Sequence, residues 1–133
     1  VPKANAHSHG LNPLCGDDYE LFVAITDDGM IKDIGFQGSG CAISKSSASL
    51  LTSIVKGKTV DEALRLAKDF HHLVTRDDVS PEQRAHIGRP AIFEGVKQYP
   101  VRVKCAMLIW RTLEDALQRR DRQQATVSTE EDH

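Results

Sequence analysis

The sequence predicts an α+β fold, with a small antiparallel sheet formed first and helices packed on one of its faces afterwards. Two observations carry this. Residues from Tyr19 to Gln37 alternate with a period of two around an Asp-Gly turn. Beyond Cys41 the apolar residues instead recur at helical spacing. A third is size: 133 residues suffice for one domain that buries a core without disulfide staples.

Residues 1–11 are small and polar, with His7 and His9 flanking Ser8, and read as an entry loop or short edge strand. From Tyr19 to Ile25 the alternation predicts a strand covered on both faces at its centre. Thr26-Asp27-Asp28-Gly29 is hairpin-turn chemistry. The second strand runs from Met30 to about Gln37, with Ile34 and Phe36 on one face and Asp33, Gly35 and Gln37 on the other. The glycine turn Gly38-Ser39-Gly40 then leads to Cys41.

Next comes a helix whose apolar stripe is Ile43, Leu50, Leu51, Ile54 and Val55, with serines at 44, 46, 47, 49 and 53 allowing close packing. Gly57 stops it. Thr59-Val60-Asp61-Glu62 is a capping box, starting a helix that buries Ala63, Leu66, Ala67, Phe70, Leu73 and Val74. Ser80-Pro81-Glu82-Gln83 marks a further helix start, Gly88-Arg89-Pro90 breaks the pattern, and Ala91 to Val96 is a short helix. The last helix is expected to begin near Cys105, burying Ala106, Ile109, Leu113, Ala116 and Leu117. Residues 1–120 form the domain, and the polar run 121–133 reads as a disordered tail.

Composition narrows the function classes. Apolar content of 40% and charged content of 27% are ordinary for a soluble domain, and a net charge of −2 supplies no basic face for nucleic acid. No apolar stretch reaches the roughly 20 residues of a membrane span. No signal-peptide pattern opens the chain, and three cysteines, an odd number, fit a reducing compartment such as the cytoplasm better than a disulfide framework. Val1, not methionine, leaves open a natural chain that begins earlier.

The chemistry lies in Cys15, Asp17, Cys41 and Cys105, each expected at the edge of an element. Gly16 lets the backbone turn so that a thiolate and a carboxylate converge on one point. Cys41 and Cys105, if both stand at helix N-termini, gain a lowered thiol pKa from unpaired amides and the macrodipole. Three sulfurs and one carboxylate suit zinc or iron, with the hard oxygen the most displaceable ligand. Buried cysteines are also common packing residues, and there is no C-x-x-C pair. On spacing alone both readings stay open.

Asn12-Pro13-Leu14-Cys15-Gly16-Asp17, Phe36-Gln37-Gly38-Ser39-Gly40-Cys41-Ala42-Ile43-Ser44 and Pro100-Val101-Arg102-Val103-Lys104-Cys105-Ala106 resemble the iron–sulfur assembly family of IscU and the NifU N-terminal domain. So do Ser46-Ser47-Ala48-Ser49, Lys56-Gly57-Lys58, Leu108, Trp110 and Leu113-Glu114, so that the resemblance spans residues 12 to 117. It implies that Cys15, Asp17, Cys41 and Cys105 are the metal and sulfur ligands. Lys104, where IscU-type scaffolds carry histidine, and the additional segment around residues 75–95 are similar to the SufU branch. That branch implies bound zinc, a SufS-type cysteine desulfurase as partner, sulfur passed on to the Suf assembly machinery, and Cys15 as the persulfide acceptor. A transient [2Fe–2S] cluster assembled on the same residues is the alternative, and a zinc-stabilised binding module a third. The resemblance also implies an N-terminal helix ahead of the first strand, which this sequence does not show.

Other residues carry weaker expectations. His7 and His9 are read as solvated rather than metal-binding. His71-His72 diverge on a helix, with His72 toward the exposed face and His71 at the buried edge. Trp110 is a core residue, and Arg102 either pairs with Asp17 or the thiolates or forms a surface ion pair.

Overall fold

The computed structural model describes residues 4–12 and 16–125, with side chains to Arg119. Three strands form an antiparallel sheet in chain order: β1 (Ala6–Asn12), β2 (Asp17–Ile25) and β3 (Ile31–Ser39). Helices follow: α1 (Ala42–Val55), α2 (Val60–Thr75), α3 (Pro81–Ile87), a 3-10 segment (Arg89–Gln98) and α4 (Pro100–Ala125). α4 runs on to Ala125, through the first five residues of the tail expected over 121–133, and residues 126–133 lie outside those described.

One sheet face is buried under α4 and α1. It carries Ala6, Ser8 and Asn12 from β1, Asp17, Tyr19, Leu21 and Val23 from β2, and Ile31 and Ile34 from β3. The opposite face is open, with Asp18 and Glu20 exposed and Phe22 half-buried under the stacked His7 ring, so β2 is not covered on both sides as its alternation predicts. Ile31 and Ile34 both reach the core although they lie three positions apart on a strand of period two. A register shift after Ala24, which pairs Ala24 with Asp33 and Ile25 with Ile31, restores their phase.

On α1 the buried residues are Ser44, Ser47, Ala48, Leu51 and Val55, whereas Ile43, Leu50 and Ile54 are only half-buried. The expected stripe is therefore rotated toward the serines. Short side chains let α1 approach α4 closely: Ser47 Oγ donates to the Ala106 carbonyl (2.7 Å) and accepts from Trp110 Nε1 (3.1 Å). Trp110 is fully buried and stacks on Phe70 of α2 at 4.7 Å between ring centroids. The buried face of α2 is the expected one. Its capping box is half-formed: Thr59 Oγ1 accepts the Glu62 amide (3.1 Å), but the Glu62 carboxylate binds His86 Nε2 (2.5 Å) instead of reaching back.

The segment between α2 and α4 buries Val79, Ile87 and Phe93 in the core, and ion pairs join it to α2 and brace it internally. His86 of α3 is clamped between Glu62 and Asp69 (2.6 Å to the latter), Arg84 binds Glu94 in a two-point fork (2.9 and 2.7 Å), and Lys97 reaches Asp77 (3.1 Å). Ser80 and Gln83 complete a reciprocal capping box at the start of α3. His71 is exposed and His72, bonded to Asp78 (2.6 Å), half-buried, the reverse of the expected order.

Candidate metal centre

Asp17 opens β2, opposite Asn12 on β1 and one residue before the Asp18–Ser39 pair. Gly16 before it has φ of 68°, a backbone conformation that side-chain-bearing residues seldom adopt, as the Cys-Gly-Asp spacing predicts. The Asp17 side chain is fully buried. Its Oδ1 accepts from the Cys41 amide (2.8 Å) and lies 3.1 Å from Ser44 Oγ. Its Oδ2 is buried with no hydrogen-bond partner among the described residues.

Cys41 is the N-cap of α1, and its sulfur accepts the Ser44 amide at 3.5 Å. Burial pushes the Cys41 thiol up, but hydrogen bonds with the Ser44 amide and hydroxyl and with Cys105 outweigh it and leave it below the ordinary thiol range. Cys105 is buried on α4. It does not stand at a helix N-terminus: α4 begins at Pro100, and Cys105 is its sixth residue. Proline at the first helical position, with Val103 N–H bonded to Tyr99 O (3.0 Å), starts the helix five residues before the expected point. The macrodipole therefore assists Cys41 alone.

One ligand atom from each of Asp17, Cys41 and Cys105 lies within 4.8 Å of the other two. Zinc–sulfur bonds of about 2.3 Å place two sulfurs of one tetrahedral ion roughly 3.8 Å apart, so the three side chains need close by only about 1 Å. The partnerless Asp17 Oδ2 is the kind of buried acceptor that a cation satisfies. The donor set therefore fits zinc or iron. A tetrahedral ion takes a fourth ligand, and the expected one, Cys15, lies outside the described residues.

Around the centre stand residues that the sequence reading leaves without a role. Ser44, the third residue after Cys41, touches the Cys41 carbonyl (3.0 Å), Asp17 Oδ1 and the Tyr19 hydroxyl (3.1 Å). Burial raises the Tyr19 phenol above its usual range against the Ser44 hydrogen bond, with the negative charges of Asp17, Cys41 and Cys105 adding to it. A Cβ on Gly40 would meet Asp17 Oδ1 and Ser44 Oγ at 2.5 Å and Tyr19 OH at 2.7 Å, so only glycine fits beside the carboxylate. The Cys41-to-Ser44 interval matches N-cap to N3, which is the signal that marks Ser44.

Among the described residues Arg102 pairs with neither Asp17 nor a cysteine; its guanidinium lies 4.7 Å over the Tyr99 ring on an exposed turn. His7 and His9 point to solvent and bond Glu20 (3.0 Å) and Asp18 (2.5 Å). The family model described as "NifU-like N terminal domain" matches residues 2–106. The chain belongs to that family.

Relatives within the NifU-like family carry two kinds of name. The chain is 41% identical over 108 residues to the iron–sulfur cluster assembly scaffold protein IscU of Streptococcus pyogenes serotype M1, covering 81% of this chain and 66% of that protein. It is 36% identical over 103 residues to the zinc-dependent sulfurtransferase SufU of Bacillus subtilis (strain 168), covering 77% and 68% respectively. It thus spans about two thirds of the length of each. A crystal structure from Fervidobacterium islandicum AW-1, described as a candidate iron–sulfur cluster assembly scaffold protein for the SUF system, matches with a TM-score of 0.77 at 36% identity, over 88% of this chain and 83% of that one. The N-terminal domain of a NifU-like protein from Brucella abortus, at 20% identity, shares the fold, with a TM-score of 0.80 over 92% and 83% of the two chains. No helix among the described residues is long and apolar enough to cross a membrane.

Proposed function

We propose that this chain is a cytoplasmic sulfur acceptor and carrier of the SufU kind, holding zinc at Asp17, Cys41, Cys105 and Cys15 and taking persulfide sulfur from a SufS-type cysteine desulfurase for Suf cluster assembly. The observation that carries the reading is the convergence of two thiols on a buried carboxylate oxygen that has no protein partner among the described residues. Lys104 in place of the histidine of IscU-type scaffolds, and the separately bolted segment between α2 and α4, favour this branch.

When bound, zinc supplies positive charge that keeps its sulfur ligands ionised at neutral pH. The residues do the rest. Ser44 and the amide of Cys41 hold Asp17 Oδ1, so that Oδ2 stays aimed into the site. The Cys15 thiolate attacks the outer sulfur of the partner's cysteine persulfide; that S–S bond breaks, its electron pair leaves with the partner's thiolate, and Cys15 carries the persulfide onward. Exchange of this kind needs no oxidant. Tyr99 and Val101, half-exposed apolar residues at the start of α4, offer a docking rim one to two turns before Cys105.

Desulfurase turnover measured with and without this protein tests the proposal. Stimulation by the parent and its loss in Cys15→Ala are expected; full stimulation by Cys15→Ala removes that residue from the role. The name of the Streptococcus relative favours a second reading, assembly of a transient [2Fe–2S] cluster as cargo on the same residues. Metal analysis and an absorption spectrum of protein purified under nitrogen separate colourless zinc from a brown cluster.

A further inference from the structure

Two buried side-chain polar atoms have no hydrogen-bond partner among the described residues, and they are neighbours: the acceptor Asp17 Oδ2 and the donor Asn12 Nδ2. Asn12 and Asp17 are Cα partners across β1 and β2, which puts their side chains on one sheet face about 5 Å apart at Cβ. Both are more than nine-tenths buried. Buried amide donors are almost always paired, so an orphan donor beside an orphan acceptor, neither satisfying the other, points to something between or above them.

The packing of β1 against α4 shows what lies above. Ser8 donates to the Asp115 carboxylate, and a Cβ on Gly10 would strike Thr112 Oγ1 and touch Leu108. Two residues along a strand advance about 6.8 Å, which equals between four and five residues of helix at 1.5 Å each. The next inward residue, Asn12, is therefore level with the turn of α4 that carries Cys105. Asp17 beside it and Cys105 above it are two of the three converging donors.

We propose that Asn12 is a positioning residue of the sulfur site: its carboxamide N–H donates to the sulfur anion that completes the Asp17, Cys41 and Cys105 set. A carboxamide suits this task because it offers a neutral donor that steadies a thiolate or persulfide without a cation competing for Asp17. The inference rests on the metal-site reading above. Hydrogen bonds to ligating groups orient them, and their loss typically weakens metal binding 10- to 100-fold.

Cobalt(II) substitution provides the test, with the parent compared to Asn12→Leu, which keeps the bulk and loses the donor, and Asn12→Asp, which keeps the shape and loses the donor. Loss of a hydrogen bond to sulfur raises its lone-pair energy, so the sulfur-to-cobalt charge-transfer band should move to longer wavelength in both variants. Zinc affinity by chelator competition should fall at least about tenfold. Metal-free Asn12→Leu should melt no lower than the parent, because it buries no orphan donor. Repeating the spectra on Cys15→Ser, with and without 2-mercaptoethanol, distinguishes a sulfur from this chain from one supplied in solution. An unchanged band with zinc affinity within twofold of the parent overturns the inference, as does metal-free destabilisation with unaltered bound spectra. Should Asn12→Leu fail to fold, Asn12→Asp and the shorter donor Asn12→Ser, expected to fall between, carry the test. A parent without any sulfur-to-cobalt band sinks the metal-site reading itself, whereas a parent with one and variants that match it sink only the role of Asn12.

Discussion

Gly40→Ala tests whether the centre is built around a space that only hydrogen can occupy. The added methyl would sit 2.5 Å from Asp17 Oδ1, 2.5 Å from Ser44 Oγ and 2.7 Å from Tyr19 OH, all fixed by other bonds. Asp17 cannot retreat without losing the Cys41 amide (2.8 Å), and Ser44 cannot without leaving Tyr19 or the Cys41 carbonyl. Overpacking costs about 1–3 kcal/mol and a weakened charged hydrogen bond adds to it, so about 2–4 kcal/mol of stability should go. At about 4 °C per kcal/mol for a domain of this size, the metal-free melting temperature should drop by about 8–16 °C. Displacement of Asp17 Oδ2 should also weaken zinc binding at least about tenfold, read by chelator competition. Gly95→Ala is the control, since a Cβ there meets nothing within 4 Å. Equal stability and equal zinc affinity of Gly40→Ala and the parent would refute the packing account.

Three further outcomes are expected. Ser47→Ala strands the Trp110 indole N–H in the core and takes from the Ala106 carbonyl the bond it makes besides that of the helix, and should cost about 1–3 kcal/mol in urea unfolding; adding Trp110→Phe should recover part of it. Hydrogen bonds to Glu62 and Asp69 hold His86 above its ordinary range, and the His86 bond holds Glu62 below its own. The His86 contribution is then complete below its unfolded value of about 6.5 and lost as pH rises through the higher folded value, while that of Glu62 is lost as pH falls below about 4.5. His86→Gln should flatten the alkaline limb of stability against pH. Zinc removal should leave the far-UV spectrum intact, because the Phe70–Trp110 core includes no ligand. It should lower melting by about 10 °C at zinc 100-fold above its Kd, a difference that Asp17→Asn should abolish.

The parts of the fold legible in the sequence are those where a single periodicity governs. The strand β2 and the helix α2 both stand where the pattern predicts, α2 with the expected buried face and β2 with one covered face rather than two. The pattern fails where packing is decided by approach distance. On α1, Ser44 and Ser47 replace Ile43 and Ile54 at the buried positions because small hydroxylated side chains allow close approach and then bond: Ser47 to Ala106 of α4, Ser44 to Asp17 and Tyr19 of β2. At the β3 bulge, one extra residue shifts the phase without any mark in composition. Val101-Arg102-Val103-Lys104 alternates apolar and basic residues, which hides the first turn of α4 although Pro100 announces it.

The centre shows the same division. Asp17 and Cys41 stand beside glycines and Cys105 five residues after Pro100, but residue type and spacing alone leave a metal site and packing both open, and only the family resemblance marks the three as ligands. Ser44, Tyr19, Gly40 and Asn12 are not marked so, because their roles arise from contacts between strands and a helix cap that no short window contains. The start of α4 then changes the chemistry assigned to the two thiols. Cys41 caps a helix and receives an amide, so the helix end adds to what the Ser44 hydroxyl and Cys105 do for its thiolate. Cys105, on the second turn of α4 and fully within its hydrogen-bonded ladder, has no such end effect. Cys105 is also buried, whereas Cys41 is only partly so. Alkylation mapped by mass spectrometry on metal-free protein should therefore label Cys41 ahead of Cys105; the opposite order would show that burial and helix position do not rank these sulfurs.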